Sequence, residues 1–183
     1  MRSLYPWETA AARQVFGDHL AYDRVRIHEG ATWTNWVNIL GRWLKHLSPP
    51  EPSTNNALTL GHHCFFPVAL PTALPAAGSA QDYAVGWLIH ELTHTWQYDR
   101  LGWVYLYRAL LAQFQLGDAA YTLPTPADLL DKRAAGWTLL QLNGEAEAVL
   151  VSQYYYALRD PAANQERLAA YAPYVGDLAP NAG

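Results

Sequence analysis

A chain of 183 residues, about half of them apolar and 15% charged, can bury the core of one domain but is too short for two full ones. Its net charge of -4, with no Lys/Arg-rich stripe, excludes nucleic acid as an expected partner, and a single cysteine, Cys64, excludes an internal disulfide. No stretch approaches the roughly twenty apolar residues of a membrane span, and the first sixteen residues carry Glu8 and Arg13 where a secretory signal would be apolar, so the expected location is cytoplasmic, or reached by export without a cleavable signal.

In chain order, Pro6 suits the first turn of a helix, Glu8 lies near its positive end and Gly17 closes it. Val25 to His28 alternates apolar and polar residues and predicts a short strand. Trp33, Trp36, Val37, Leu40, Trp43, Leu44 and Leu47 fall at helical spacing, and Pro49 and Pro50 end that helix. A loop from Ser48 to Asn56 leads into Ala57 to Phe66, which reads as one strand on Leu58, Leu60, Phe65 and Phe66. Three prolines make Pro67 to Gly78 a loop. A long helix is expected from Ser79 or Gln81 to about Arg100, stopped by Gly102, and another from Trp103 to Phe114. Helix returns near Asp128 and continues or resumes past Gly136 and Gly144 to Arg159, where Asp160 and Pro161 break it. A short helix fills Asn164 to Tyr171. The expectation is a single domain over residues 1–183, α+β in class and mostly helical.

The long helix carries His90-Glu91-Leu92-Thr93-His94. At 100° per residue the two histidines share a face one turn apart, so both imidazoles can reach one metal ion. Glu91 sits one position away, where its carboxylate can lie beside the metal without ligating it. That is the arrangement zinc hydrolysis uses: two nitrogen ligands, an adjacent base and a third ligand from elsewhere. Two exposed histidines on an ordinary helix are the plain alternative. The apolar flanks Trp87, Leu88, Ile89 and Leu92 weigh against it, because they predict a buried helix whose histidines need partners.

No histidine follows His94, so a carboxylate must complete the set, and Asn143-Gly144-Glu145-Ala146-Glu147-Ala148 offers two. Glu145 and Glu147 point about 200° apart on a helix, so only one can ligate. Small neighbours favour Glu145; Glu147 stays open as the alternative, and the unchosen residue is expected in solvent. His62 and Cys64 could share a strand face while His63 could not, which is too little for a second metal site. His19, His28 and His46 read as surface or hydrogen-bonded histidines. Thr93 and Asp99 are candidates to orient a ligand, although a hydroxyl at Thr93 more simply bonds its own helix.

The run Leu88-Ile89-His90-Glu91-Leu92-Thr93-His94-Thr95-Trp96-Gln97 resembles the HExxH metallopeptidase domain associated with bacterial contractile-injection and Rhs/Vgr-type effector loci, which is similar to the minimal gluzincins. Leu58-Thr59-Leu60-Gly61 looks like the strand end that precedes the motif there. Glu145 through Tyr154 and Tyr155 looks like its downstream glutamate and Tyr-rich tail, and Val25-Arg26-Ile27-His28 like its opening strand. The resemblance covers roughly Phe16 to Tyr156. Glu147 departs from it, standing where an amide or other polar residue is expected.

The resemblance implies a zincin-like core, with an active-site helix, a small sheet whose edge strand Ala57 to Phe66 lies over the cleft and aligns substrate, and a second helix bearing the glutamate. It implies Zn2+ on His90, His94 and Glu145, Glu91 as general base, and Tyr121, Tyr154 or Tyr155 as oxyanion donor. The partners it implies are a peptide or protein substrate and a bacterial secretion or effector assembly. A non-catalytic zinc-bearing interaction domain of such an assembly is the alternative, and Glu91 argues against it, since a structural site needs ligands and no base.

Overall fold

The computed structural model describes residues 1–35 and 55–179; beyond Asn35 the helix expected from Trp33 to Leu47, and most of the loop after it, fall outside the described residues. The described chain is α+β and mostly helical. Helix α1, Pro6–Phe16, buries Ala11, Ala12, Val15 and Phe16. Its start is fixed by Glu8, whose carboxylate accepts the Tyr5 backbone N–H at 2.7 Å and pairs with Arg2 at 2.7 Å.

Three short strands follow: β1, Arg26–Glu29; β2, Leu58–Leu60; and β3, His63–Phe66. They form one sheet in the order β1-β3-β2, with β1 parallel and β2 antiparallel to β3. The expected single strand from Ala57 to Phe66 is therefore two. Leu60 pairs with His63 across a two-residue turn, Gly61-His62. Gly61 takes φ +63°, the left-handed conformation that tight hairpin turns require and that glycine adopts without a Cβ penalty. The alternation around the turn is apolar on both sides, so nothing in it but Gly61 marks the reversal.

Helix α2, Tyr83–Leu101, runs through the middle of the molecule and is buried on most of its circumference, including Val85, Leu88, Ile89, Leu92 and Trp96. Helix α3, Val104–Leu116, follows, then a 3-10 turn, Gly117–Tyr121, and α4, Pro126–Ala134. Of the two expected outcomes past Gly136 and Gly144, the helix resumes rather than continues: Gly136 turns the chain, and a second 3-10 turn spans Leu139–Gln141. Asn143 then caps a new helix, α5, Gly144–Arg159, its side-chain oxygen accepting the backbone N–H groups of Glu145 and Ala146 at 3.1 and 3.0 Å. Helix α6, Gln165–Val175, outlasts its expected end at Tyr171 by one turn, and a last 3-10 turn, Gly176–Leu178, follows it.

Helices α2 and α5 are the central packed pair. They approach closely at Gly86, where an added Cβ would lie 2.1 Å from the ring of Tyr156. The Tyr156 hydroxyl donates to the Tyr83 carbonyl at 2.9 Å on the same contact. That approach brings the first turn of α5 against the middle of α2. No described helix is long and apolar enough to cross a membrane.

Candidate metal centre

His90 and His94 project from the middle of α2, and Glu145 from the first turn of α5, where the positive end of the helix dipole suits a carboxylate. The two Nε2 atoms lie 3.2 Å apart, and Glu145 Oε2 lies 3.4 Å from His90 Nε2 and 3.5 Å from His94 Nε2. A tetrahedral ion with bonds of about 2.0–2.1 Å places its ligand atoms about 3.3–3.4 Å apart, so this triangle has the edge lengths of a tetrahedral face. Among the described residues it is the one group of three such side chains able to hold a metal ion.

The electrostatics of the metal-free cluster agree with its geometry. Burial works to lower the pKa of His94, but the charge of Glu145 and the hydrogen bond to it outweigh burial and push the ring up to about 9. Glu145 is held well below the usual carboxylate range: burial alone would raise it, and the charge of His94 with hydrogen bonds from both histidines reverses that. A buried carboxylate held ionised beside two imidazoles has the charge, as well as the shape, of a group that could hold a metal ion.

Glu91 is buried, and its Oε2 accepts a hydrogen bond from the Thr59 hydroxyl on β2 at 2.7 Å. Thr59 itself had no signal in the sequence beyond its place in the strand. Glu147 corrects an expectation: it is not in solvent but 5% exposed, and it accepts from the Gln97 side-chain amide at 2.7 Å. Burial pushes its carboxyl up to about 7, against the opposing Gln97 hydrogen bond. Glu145 and Glu147 thus separate as the 200° argument requires, one toward the histidine Nε2 atoms and the other away.

Thr93 bonds back to its own helix, donating to the Ile89 carbonyl at 2.9 Å. Asp99 does not reach the cluster; it pairs with His62 Nε2 at 2.7 Å. The hairpin turn takes His62 out of the strand, so it shares no face with Cys64, which is fully buried with its thiol pushed up to about 12 by burial. His63 meets His28 instead, Nδ1 to Nε2 at 2.9 Å on the outer face of the sheet. His46 lies outside the described residues. Of the three tyrosines proposed as oxyanion donors, Tyr121 stacks on His90 with ring centroids 6.5 Å apart, while Tyr155 is buried in the core.

Strand β2 is one edge of the sheet, and a residue the sequence did not single out already engages that edge. The Tyr105 hydroxyl, from α3, donates to the Thr59 carbonyl at 2.6 Å and accepts the Gly61 N–H at 3.3 Å. A cavity of about 300 Å³ opens beside it, lined by Gln97, Leu101, Arg108, Leu142 and Glu147 but not by His90 or Glu145. No protein-family model, curated protein or solved structure matches the chain.

Proposed function

We propose that the chain is a zinc-dependent metallopeptidase of the gluzincin type, with His90, His94 and Glu145 as metal ligands and Glu91 as general base. The observation that carries the reading is the triangle of 3.2, 3.4 and 3.5 Å among two Nε2 atoms and a carboxylate oxygen. Glu91 follows His90 on the same helix and is not one of the three side chains of the triangle, which suits a base better than a fourth ligand. A bound zinc ion would supply Lewis acidity and lower the pKa of a coordinated water.

The protein groups then have separable tasks. Glu91 takes up on one carboxylate oxygen the proton that the attacking water loses, and delivers it to the leaving amine. Thr59 holds that carboxylate in one rotamer through its 2.7 Å hydrogen bond, which limits the directions from which Glu91 accepts. Burial of Glu91 and His94 keeps bulk water from competing for the same lone pairs. The packed pair α2/α5, with Thr59 of the β2 edge bonded to Glu91, supports a zincin-like core; the substrate class that fits is an extended peptide, and the proposed partner is a bacterial secretion or effector assembly.

One observation favours a second reading, a non-catalytic zinc-bearing interaction domain: Tyr105 already occupies the Thr59 carbonyl that an extended peptide would use. The two readings part in a cleavage profile of a mixed peptide library, run on protein stripped with a chelator and again after one equivalent of zinc. The peptidase reading predicts cleavage only after zinc is restored. Full zinc occupancy with no cleavage would select the interaction domain, and cleavage indifferent to the chelator would remove both.

A further inference from the structure

The side chain behind His94 is fixed by more bonds than packing requires. Gln97 is 1% exposed, three residues after His94 on α2. Its Oε1 lies 2.7 Å from His94 Nδ1, and its Nε2 donates to the Gly144 carbonyl at 2.9 Å and to Glu147 Oε2 at 2.7 Å. A side-chain amide can be turned over, exchanging its oxygen and nitrogen, so only its partners decide which end faces the ring. Here they decide it. Turned over, Oε1 would face the Gly144 carbonyl oxygen, which has no proton to offer. Gly144 therefore forces the amide nitrogen toward α5 and the amide oxygen toward His94, and Glu147 accepts from that same nitrogen.

An oxygen facing Nδ1 requires Nδ1 to carry a hydrogen. In the neutral ring that leaves the lone pair on Nε2, which is the atom pointing at His90 and Glu145. From this geometry we infer that Gln97 and Glu147 are positioning residues, a relay from α5 through α2 that sets the tautomer and orientation of His94 for metal binding. The inference rests on the metal-site reading. It assigns Glu147, two residues from a ligand, a role that neither ligation nor exposure describes. Glu145 and Glu147 then divide the work from one helix turn: one completes the triangle, and the other orients a histidine from behind.

The test combines zinc affinity, measured by competition with a chelator, with the ring-nitrogen NMR shifts of His94 in the metal-free protein, taken above the pH at which the ring loses its second proton. Gln97→Leu should weaken zinc binding about 10- to 100-fold, the range typical of removing a partner of a ligating histidine. Its His94 should lose the single Nδ1–H tautomer. Glu147→Ala should move both readouts the same way, Glu147→Gln should restore them because its amide oxygen still accepts from Gln97, and Gln97→Leu with Glu147→Ala should be no worse than Gln97→Leu alone.

Unchanged affinity in Gln97→Leu, an unchanged tautomer, additivity in the double variant, or a Glu147→Gln as weak as Glu147→Ala would each overturn the relay. If wild-type protein takes up no zinc while the tautomer responds as described, the metal-site reading fails and the relay stands as a ring-orienting device. Thermal melts of the metal-free variants separate both from a loss of folding.

Discussion

Among the described residues two places bring histidines together, and they differ in almost everything else. On the outer face of the sheet His28 and His63 meet at 2.9 Å, stacked beside Phe65, and among the described residues no carboxylate completes a triangle with them. Between α2 and α5, His90 and His94 meet at 3.2 Å with Glu145 completing a triangle and Gln97 behind one ring. The pKa values run in opposite directions. Burial and the neighbouring His63 lower that of His28, whereas Glu145 overcomes burial to raise that of His94. Proximity of imidazoles is thus not what makes a cation site; the ionised carboxylate and the fixed ring are.

The largest effect that could break this contrast is removal of the carboxylate. Glu145→Ala should lower zinc affinity by more than the ~10- to 100-fold expected from losing an outer partner, while His28→Ala with His63→Ala should leave it unchanged. Zinc analysis of wild type and the two variants checks both halves, and a loss confined to the His28/His63 variant would place the metal on the sheet. Next is the approach of the helices that builds the cluster. Gly86→Ala would force a methyl into the ring of Tyr156, 2.1 Å away, and should cost about 1–3 kcal/mol by overpacking, read as a lower Tm together with weaker zinc binding. A full loss of folding would still be consistent with that contact; an unchanged Tm would not.

A smaller effect concerns the β2 edge. Tyr105→Phe removes the hydroxyl from the Thr59 carbonyl and the Gly61 N–H. If extended peptides pair there, freeing one hydrogen bond should lower KM about 2- to 10-fold with kcat held. A KM that stays or rises would show that the edge does not align substrate. The smallest effect lies on the sheet. The pKa of His28 is depressed in the fold, so its contribution to stability is present above the unfolded value near 6.5 and is lost as pH falls through the folded value. His28→Gln should flatten the acid limb of a Tm-against-pH curve slightly and leave Tm above pH 7 alone.

The parts legible in the sequence were those set by spacing along one element. His90, Glu91 and His94 follow from one helix and its period, and Glu145 from the need for a second helix with small neighbours at its start. The hairpin was hidden because Leu58 to Phe66 is apolar on both sides of the turn, with His62 in place of the Asn or Asp that usually signals one. Partners were hidden for another reason. Thr59 meets Glu91 across 32 residues, and Glu147 meets Gln97 across 50, so neither contact leaves a local pattern. Gln97 alone carried a hint, standing three residues from His94 on the same side of α2. Asp99, at a similar remove, faces His62 instead.

The proposed mechanism makes one glutamate beside the cluster a base and not a ligand, and Glu91→Gln separates those two roles. Zinc content and peptide-library cleavage measured on the same preparations should give near one equivalent of zinc in wild type and variant alike, with cleavage abolished in the variant. Loss of zinc from Glu91→Gln, or cleavage undiminished by it, would contradict the account.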